Sequence, residues 1–498
     1  MTQQLSLSAL VAQVKKLKTP IASHSGKVTE GGIFVVLPAA VPQHKLSTTV
    51  GAEQYLPTIA QHNPGYIVVG KRHAALAKEA APSAAIVICG DTRAALGQLA
   101  AAYYDTDTHC PAILGITGTN GKTTETYLLE HIFMAAGKAT GILGTVEYRW
   151  GKNHVPSALT TPGCLELHEI FAQMAADDTH LVCMEVSSHA IDQQRIAGIN
   201  FSGALFTNLT QDHLDYHADL QEYFDTKARL FRPVIKGGLP FDQKVGACNA
   251  DDMWSRTLLE ENAHYIGYGL TEEPVKGTRH LHGTILSMSP RGIHLRMTYE
   301  GRTWELHSPL VGGFNAMNLL GAQALALAYG LHEEQFTCLE SFTGVPGRME
   351  RIITHKDLNM FVDYAHTPDA LIKAQQALRE AGFSRLITVF GCGGNRDTSK
   401  RPLMGQAVAQ LADIAVLTSD NPRHENPEAI MKDVLPGLKN CPEVHCQVDR
   451  RQALADAVAM LGPNDALLVA GKGHEPYQII GDTKHSFSDQ KILQELTQ

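Results

Sequence analysis

Short apolar runs alternate with amphipathic stretches along the chain. Ile33-Phe34-Val35-Val36-Leu37, Tyr66-Ile67-Val68-Val69 and Ala85-Ile86-Val87-Ile88-Cys89 read as buried strands. Asp91 to Tyr104 follows as an alanine-rich helix, and Thr106 to Pro111 as a linker. Ala112-Ile113-Leu114-Gly115-Ile116 is the next strand. Thr126 to Ala136 is then a helix, apolar at Leu128, Leu129, Ile132 and Phe133 and closed by Gly137. His180 to Met184 and Phe201 to Phe206 are further strands. Leu319 to Leu331 is the longest apolar stretch, too short to span a bilayer, and reads as a buried helix. The last third repeats the rhythm. Met360-Phe361-Val362 runs into Asp363, a helix starts at Pro368, and Leu386 to Phe390, Ile414 to Leu417 and Ala466 to Ala470 are strands. Strands alternating with helices predict an α/β fold with parallel sheets.

A length of 498 residues predicts about three domains. The pattern places them at 1–109, 110–341 and 342–498: a small N-terminal α/β domain, a central mostly parallel sheet and a C-terminal Rossmann-like sheet. With 44% apolar and 19% charged residues the chain can build ordinary cores. The net charge of −9, with lysines and arginines scattered, argues against a nucleic-acid surface. Nine cysteines include no CxxC pair, and Cys441, His445 and Cys446 do not form a zinc pattern, so a reducing compartment is expected. Met1 to Pro20 lacks the order of a signal peptide.

The chemistry centres on Gly118-Thr119-Asn120-Gly121-Lys122-Thr123-Thr124, between a strand and a helix. Small residues let backbone N–H groups reach phosphate oxygens, and the helix N-terminus favours the negative charge. Lys122 is expected on the outer phosphates and the Thr123 hydroxyl on Mg²⁺. The strict GxxxxGK[ST] spacing fails, because Ile116 stands at the first glycine position. This predicts an ATP-binding P-loop of unusual type, which makes the central sheet P-loop-like. Glu185 ends the strand His180–Met184, where a parallel sheet delivers a carboxylate to a Mg²⁺ site. His213 and His217 stand four residues apart, but Leu214 replaces the glutamate of HExxH, so a zinc protease is not expected. A dinucleotide motif from Gly391 fails at Arg396.

Thr117 to Thr123 resembles the P-loop of the Mur ligases and their folylpolyglutamate synthetase relatives. Six further stretches agree in order. They are Met184-Glu185-Val186-Ser187-Ser188-His189, Asn208 to His217, Tyr223 to Phe231 with Lys227, Gly313 to Asn318, Pro346 to Glu350, and Val362 to Pro368. The resemblance covers roughly residues 110 to 498. It implies ATP-dependent amide formation through an acyl phosphate, in cytoplasmic peptidoglycan precursor synthesis, by a monomer acting on small molecules without nucleic acid or membrane. The members it resembles most extend UDP-N-acetylmuramoyl-L-alanyl-D-glutamate. Asp420-Asn421-Pro422-Arg423 is similar to the signature of those that add meso-diaminopimelate rather than L-lysine, and an arginine suits the extra distal carboxylate.

The same resemblance implies roles. Lys122, Glu185, His213 and Lys227 would be catalytic. Metal ions would be held by Thr123, Glu185, His213 and Lys227, the lysine as a carbamate. Asn315, Arg348 and Asp363 would complete the ATP site with residues 118–124. Thr160, Thr161, Ser187, Gln193 and Arg195 would meet the muramoyl-dipeptide, and Ser23 and Ser25 the uridine. Arg396, Asp420, Asn421, Pro422, Arg423, Gly471 and Glu475 would contact the incoming amino acid. ATP on the middle domain and amino acid on the last imply closure. The N-terminal part departs from the family. His24-Ser25-Gly26 stands where Asp-Ser-Arg is usual, the loop Ala39 to His44 lacks the usual His-Gln-Ala, and Leu159 replaces a common Asn. An L-lysine-adding form, a folylpolyglutamate synthetase-like ligase, a P-loop switch and a silent relative remain alternatives.

Overall fold

The computed structural model describes residues 5–42, 50–232, 245–355 and 358–498. The loop Ala39 to His44 is therefore described only as far as 42, and residues 1–4 of the N-terminal stretch lie outside the described residues. The chain forms two compact units. One comprises residues 1–268, 273–280 and 321–332, and the other residues 269–272, 281–320 and 333–498.

The first unit carries two sheets. The smaller has four parallel strands in sequence order, Ile21–Ala22, Ile33–Val35, Tyr66–Gly70 and Ala85–Cys89. Its β-branched runs are buried, and the helix Thr92–Tyr104 covers one face, capped by the Asp91 carboxylate. The larger sheet runs Ile266–Gly269, Val245–Asn249, Gly203–Phe206, Ala112–Thr117, Leu181–Glu185 and Thr140–Leu143, all parallel. The antiparallel strands Glu147–Trp150 and Asn153–Pro156 extend it. The helix of 92–104 meets residues 197–198 closely, and a side chain at Gly97 would overlap the Ala197 backbone. The expected linker of 106–111 is not loose. Thr106 is buried and its hydroxyl shares a hydrogen bond with His168 Nδ1 at 2.5 Å, because the helix ends at Asp105 and folds its C-terminus inward.

The second unit contains an antiparallel sheet, Arg279–Ser289, Gly292–Tyr299 and Arg302–Ser308, paired in the register Ile285 to Leu295 and Leu295 to Leu306. Its larger sheet is ordered Glu350–Arg351, Asn359–Asp363, Asp465–Ala470, Arg385–Phe390, Ile414–Thr418 and Glu443–Gln447. All but the first are parallel. Two apolar layers cover its faces, one around Phe361, Leu386 and Leu468, the other around Val362, Val389 and Val469. The sheet is doubly wound, as the alternating pattern predicts.

Element bounds differ from the pattern at their ends. The P-loop helix begins at Lys122 rather than Thr126, since Gly121 takes φ 88° and turns the chain straight into it. The strand expected at 33–37 ends at Val35, and that at 201–206 begins at Gly203. The apolar stretch of 319–331 lies within the helix Gly313–Ala328 and the turn that follows. All nine cysteines are free. Among the described residues no helix is long and apolar enough to cross a membrane.

One buried ion pair holds the C-terminal helix, Asp489–Leu496, in place. Arg450 and Asp489 are both fully buried, with Nε to Oδ1 at 2.9 Å and Nη2 to Oδ2 at 2.8 Å. Arg450 Nη2 also donates to the Ala470 carbonyl at 3.0 Å, just before Gly471. Removing one partner of such a pair leaves an uncompensated buried charge and costs about 3–5 kcal/mol. Arg450→Leu is therefore expected to lower the unfolding free energy by that amount, read as a lower urea midpoint. An unchanged midpoint in urea would refute the structural role.

Candidate active site

The P-loop follows the strand Ala112–Thr117, with Gly203–Phe206 on one side and Leu181–Glu185 on the other. Gly118 takes φ 143°, and a side chain there would overlap the Thr207 hydroxyl. Residues 207–210 pin the loop. Thr119 N donates to Asn208 O at 2.8 Å, Asn120 N to Asn208 Oδ1 at 3.0 Å, and Thr207 Oγ1 to Asn120 O at 2.6 Å. Two backbone donors of the expected cradle are thus spent on Asn208. The donors left for an anion are those of the first helical turn, where Lys122, Thr123 and Thr124 stand and no intrahelical acceptor exists.

Two lysines converge on one carbonyl. Gly118 O accepts from Lys122 Nζ at 3.1 Å and from Lys227 Nζ at 2.9 Å. Lys227 is 1% exposed and lies 4.6 Å from the centre of the Tyr223 ring. Burial, and then the neighbouring Lys122, push its amine well below the ordinary lysine value, with Asp212 opposing. Its burial shows that it is not a solvated lysine on a helix surface.

Glu185 is also buried. Its Oε1 accepts from Thr145 N at 2.8 Å and its Oε2 from Thr145 Oγ1 at 3.1 Å. Gly144 is required beside it, since a side chain there would overlap Glu185 Oε1. His213 takes a left-handed conformation, φ 53°, and its ring packs on His189 at 5.0 Å and Tyr223 at 5.9 Å. Burial lowers its basicity, Asp212 raises it, and Lys227 and Lys122 lower it further. His217 has a different task, sharing a buried hydrogen bond with Ser188 Oγ at 3.1 Å. Among the described residues no group of three or more His, Cys, Asp or Glu side chains could hold a metal ion.

The residues expected for a muramoyl-dipeptide form one connected network in the first unit. Thr161 Oγ1 donates to Glu185 O at 2.9 Å and accepts from Ser187 N at 3.1 Å. Arg195 donates to Thr161 O at 3.2 Å and to Gln193 Oε1 at 2.7 Å. Gln193 Nε2 reaches Ala40 O and Tyr216 Oη, both at 3.3 Å. Thr160 joins through Thr145 Oγ1 at 3.0 Å. Ser23 and Ser25 lie apart from it, just past the edge strand Ile21–Ala22. A cavity of about 680 Å³, lined by Lys71, Arg72 and Arg93 among others, opens at the ends of the neighbouring strands. The motifs gave no sign of Thr145 or Arg93. Arg93 is buried, donates to Ala39 O at 2.6 Å, and carries no local spacing signal.

In the second unit the expected residues sit at the C-terminal ends of parallel strands, the place where open α/β sheets hold ligands. Asp363 ends its strand, accepting from Met349 N at 2.7 Å and Ala365 N at 2.8 Å. Desolvation raises its carboxyl and Arg348 opposes this. The Arg348 guanidinium lies 5.0 Å from the Tyr364 ring centre. Asn315 is buried, donating to Val311 O at 2.8 Å and accepting from Asn318 Nδ2 at 3.0 Å. Asp420 to Arg423 follow the strand Ile414–Thr418. Gly394 lies against them so closely that a side chain would overlap Pro422 O. Arg423 Nη1 donates to Gly394 O at 2.9 Å, and Arg423 N to Ile479 O at 3.1 Å. Gly471 takes φ 110°, and a side chain there would stand 2.7 Å from Asp420 Oδ2. Asn421 Nδ2 donates to Glu475 Oε2 at 3.1 Å. Arg396 is exposed beside this group.

His474 follows these glycines and packs 5.3 Å from Tyr364. Burial and Arg348 lower its pKa from 6.5 to about 4. Neutral His474 therefore favours the folded state fully above pH 6.5, and that contribution is lost as pH falls from 6.5 to about 4. NMR titration is expected to show its ring neutral at pH 5.5, and His474→Gln to flatten the acid limb of stability. A ring protonated at pH 6 would refute this.

Two family models match the chain: the Mur ligase middle domain over residues 116–326, and the Mur ligase glutamate ligase domain over residues 347–473. The chain is 50% identical over 490 residues to a UDP-N-acetylmuramoyl-L-alanyl-D-glutamate–2,6-diaminopimelate ligase of Lawsonia intracellularis, covering 98% of each chain. It is 39% identical to the ligase of that name from Gloeobacter violaceus, over 95% of this chain and 93% of the relative. A solved structure of such a ligase superposes with a TM-score of 0.67 at 29% identity, covering 96% of this chain and 94% of its own. A folylpolyglutamate synthase of Mycobacterium tuberculosis complexed with ADP shares the fold, with a TM-score of 0.58 at 18% identity over 76% of this chain and 91% of its own. Matched by both family models over residues 116–326 and 347–473, and 50% identical to a relative along 98% of each chain, the chain belongs to the Mur ligase family.

Proposed function

We infer that the chain is an ATP-dependent ligase that joins meso-diaminopimelate to UDP-N-acetylmuramoyl-L-alanyl-D-glutamate. The identity of 50% with a ligase of that name along 98% of both chains carries the reading. The Asn421 and Arg423 loop beside Glu475 supports the choice of amino acid, because it offers N–H donors and a carboxylate side by side. A distal carboxylate and ammonium on one carbon need such a pair, and L-lysine lacks that carboxylate.

The reaction begins at the D-glutamyl side-chain carboxylate, a poor electrophile. One of its oxygens attacks the γ-phosphorus of ATP, the bond to the β–γ bridging oxygen breaks, and ADP departs. The acyl phosphate formed is then attacked by the amine of diaminopimelate. The C–N bond forms, phosphate leaves, and the amine gives up a proton. Anions meet at each stage, so positive charge must be concentrated there. Lys122 and the first turn of its helix bind the ATP phosphates, Asn315 bonds the adenine, and Arg348 and Asp363 of the last domain also hold ATP. Thr160, Thr161, Ser187, Gln193 and Arg195 orient the dipeptide, and Ser23 and Ser25 the uridine. Arg396, Asp420 to Arg423, Gly471 and Glu475 receive the amino acid. The three domains divide this work as 1–109, 110–341 and 342–498.

The Thr123 hydroxyl and the buried Glu185 carboxylate are hard oxygen donors that fit Mg²⁺, which takes few protein ligands and completes its shell with phosphate and water. Glu185 and His213 would hold a second ion, with Lys227 joining as a carbamate. A bound Mg²⁺ would neutralise phosphate charge. An ammonium cannot ligate a cation. Lys227, whose amine burial pushes well below the ordinary lysine value, would attack CO₂ as the free amine instead. The N–C bond forms, one proton leaves, and the side chain becomes a carbamate. The enzyme acts as a monomer in the cytoplasm, with no nucleic-acid or membrane partner.

Purified protein with ATP, Mg²⁺, the UDP-muramoyl-dipeptide and either amino acid tests this by product mass. The tripeptide product is expected with meso-diaminopimelate, and product with L-lysine alone would overturn the specificity. Under ¹³CO₂ a carbamate carbon signal is expected that Lys227→Ala abolishes. The same variant is expected to lose at least about 10³-fold in kcat with its fold intact. Full activity would exclude the ligand role.

A further inference from the structure

Lys472 takes no part in the assignments above, yet it is fully buried next to the amino-acid loop. Its Nζ donates to Asn421 Oδ1 at 3.2 Å. A second donor, Ile479 N, reaches the same oxygen at 2.9 Å. The Asn421 amide nitrogen lies on the other side, with one hydrogen on Glu475 Oε2 at 3.1 Å. Oxygen and nitrogen of an asparagine amide are often interchangeable by geometry alone. Here they are not. An ammonium and a backbone N–H can only donate, so both neighbours demand the oxygen, and a flipped amide would set N–H against N–H.

The consequence is chemical. With its oxygen saturated from behind, Asn421 can show a ligand only its second N–H. It becomes an obligate donor, suited to a carboxylate oxygen and useless to an ammonium. The ammonium is left to Glu475, whose Oε2 stands 3.7 Å from Lys472 Nζ. Lys472 therefore sorts the two ends of a zwitterion by fixing one neighbour's polarity. An uncharged buried side chain at this position would leave Ile479 N as the remaining donor named on that oxygen, and the amide orientation more weakly held.

We propose that Lys472 is a positioning residue that locks the Asn421 amide as a carboxylate-facing donor and so sets the preference for an amino acid with a distal carboxylate. This rests on the amino-acid assignment of the preceding subsection. Two further contacts support a built arrangement rather than chance burial. The loop around Asn421 is closed by Gly394 N to Asn421 O at 2.9 Å and by Gln478 Nε2 to Asp420 O at 2.6 Å. Burial lowers the Lys472 amine below its ordinary value and Arg450 adds to this, while Asp420 and Glu475 oppose it.

The test is Lys472→Met, which keeps the stem and removes the donor, assayed by steady-state kinetics in the full chain. The KM for meso-diaminopimelate is expected to rise at least tenfold, with the KM for ATP within twofold and kcat at saturating amino acid within threefold. Both KM values rising together, or the amino-acid KM within twofold, would overturn the proposal. Asn421→Asp is the second variant and covers the case in which Lys472→Met does not fold. It keeps size and the acceptor facing Lys472 and Ile479, and replaces the Nδ2 donor by a carboxylate oxygen that faces both Glu475 Oε2 and the ligand. It should also raise the amino-acid KM at least tenfold, and a value within twofold of the parent would overturn the proposal. Product from the unsubstituted chain separates the two levels. If the parent does not use meso-diaminopimelate, the functional reading fails and takes this inference with it; if it does, the variants judge Lys472 alone.

Discussion

Two ammonium groups share one carbonyl oxygen at the heart of the first unit. Lys122 and Lys227 both donate to Gly118 O, and like charges so close in a low-dielectric setting repel. The conflict is resolved by asymmetry. Lys122 keeps some solvent, whereas Lys227 is sealed under Tyr223 and can yield its proton. A buried neutral amine is costly as a charge and useful as a nucleophile. The loop conformation at Gly118 makes this arrangement possible, because only a residue without a side chain leaves the carbonyl aimed at both lysines while clearing Thr207.

Clearance of this kind recurs wherever the site needs backbone close to backbone. Gly144 gives Glu185 the room to meet Thr145, and Gly394 lets residues 421–423 lie against it. At Gly471, φ 110° turns the chain past Asp420. These glycines are not loose points. Each lies against a named neighbour, and a methyl group at any of them would move a carboxylate, a hydroxyl or a carbonyl of the site. Rigidity of the sheet beneath supplies the rest, since each group hangs from the C-terminal end of a buried strand.

Much of this was legible in the sequence. The apolar runs gave the strands under both sites, and Gly118 to Thr124 gave the P-loop before any comparison. What local pattern could not supply were contacts set by tertiary packing. Thr145 lies 40 positions from the carboxylate it holds, and Arg93 reaches Ala39 across 54 positions. Neither leaves a trace in spacing. Strand ends drifted by one or two residues, and the P-loop helix began a full turn early because a left-handed glycine, not an apolar period, decides where it starts. The linker expected at 106–111 begins with Thr106 buried against His168, while 107–109 are exposed.

Lys472 shows the same limit from the other side. Its neighbours Gly471 and Glu475 are read from motif, but a lysine between two glycines looks like a flexible surface charge. Only the fold reveals that its ammonium is buried and that Asn421 Oδ1 answers to two donors. Recognition in this pocket then depends less on the number of polar groups than on which are forced to donate. Arg423 spends one nitrogen on Gly394 O, Asn421 spends its oxygen on Lys472, and what remains for a ligand is N–H on one side and carboxylate on the other. A pocket wired in this way discriminates by the sign of the partner's charge at two fixed places. An isosteric amino acid lacking one charge would leave one of those groups unpaired, a cost of about 1–3 kcal/mol for a buried donor.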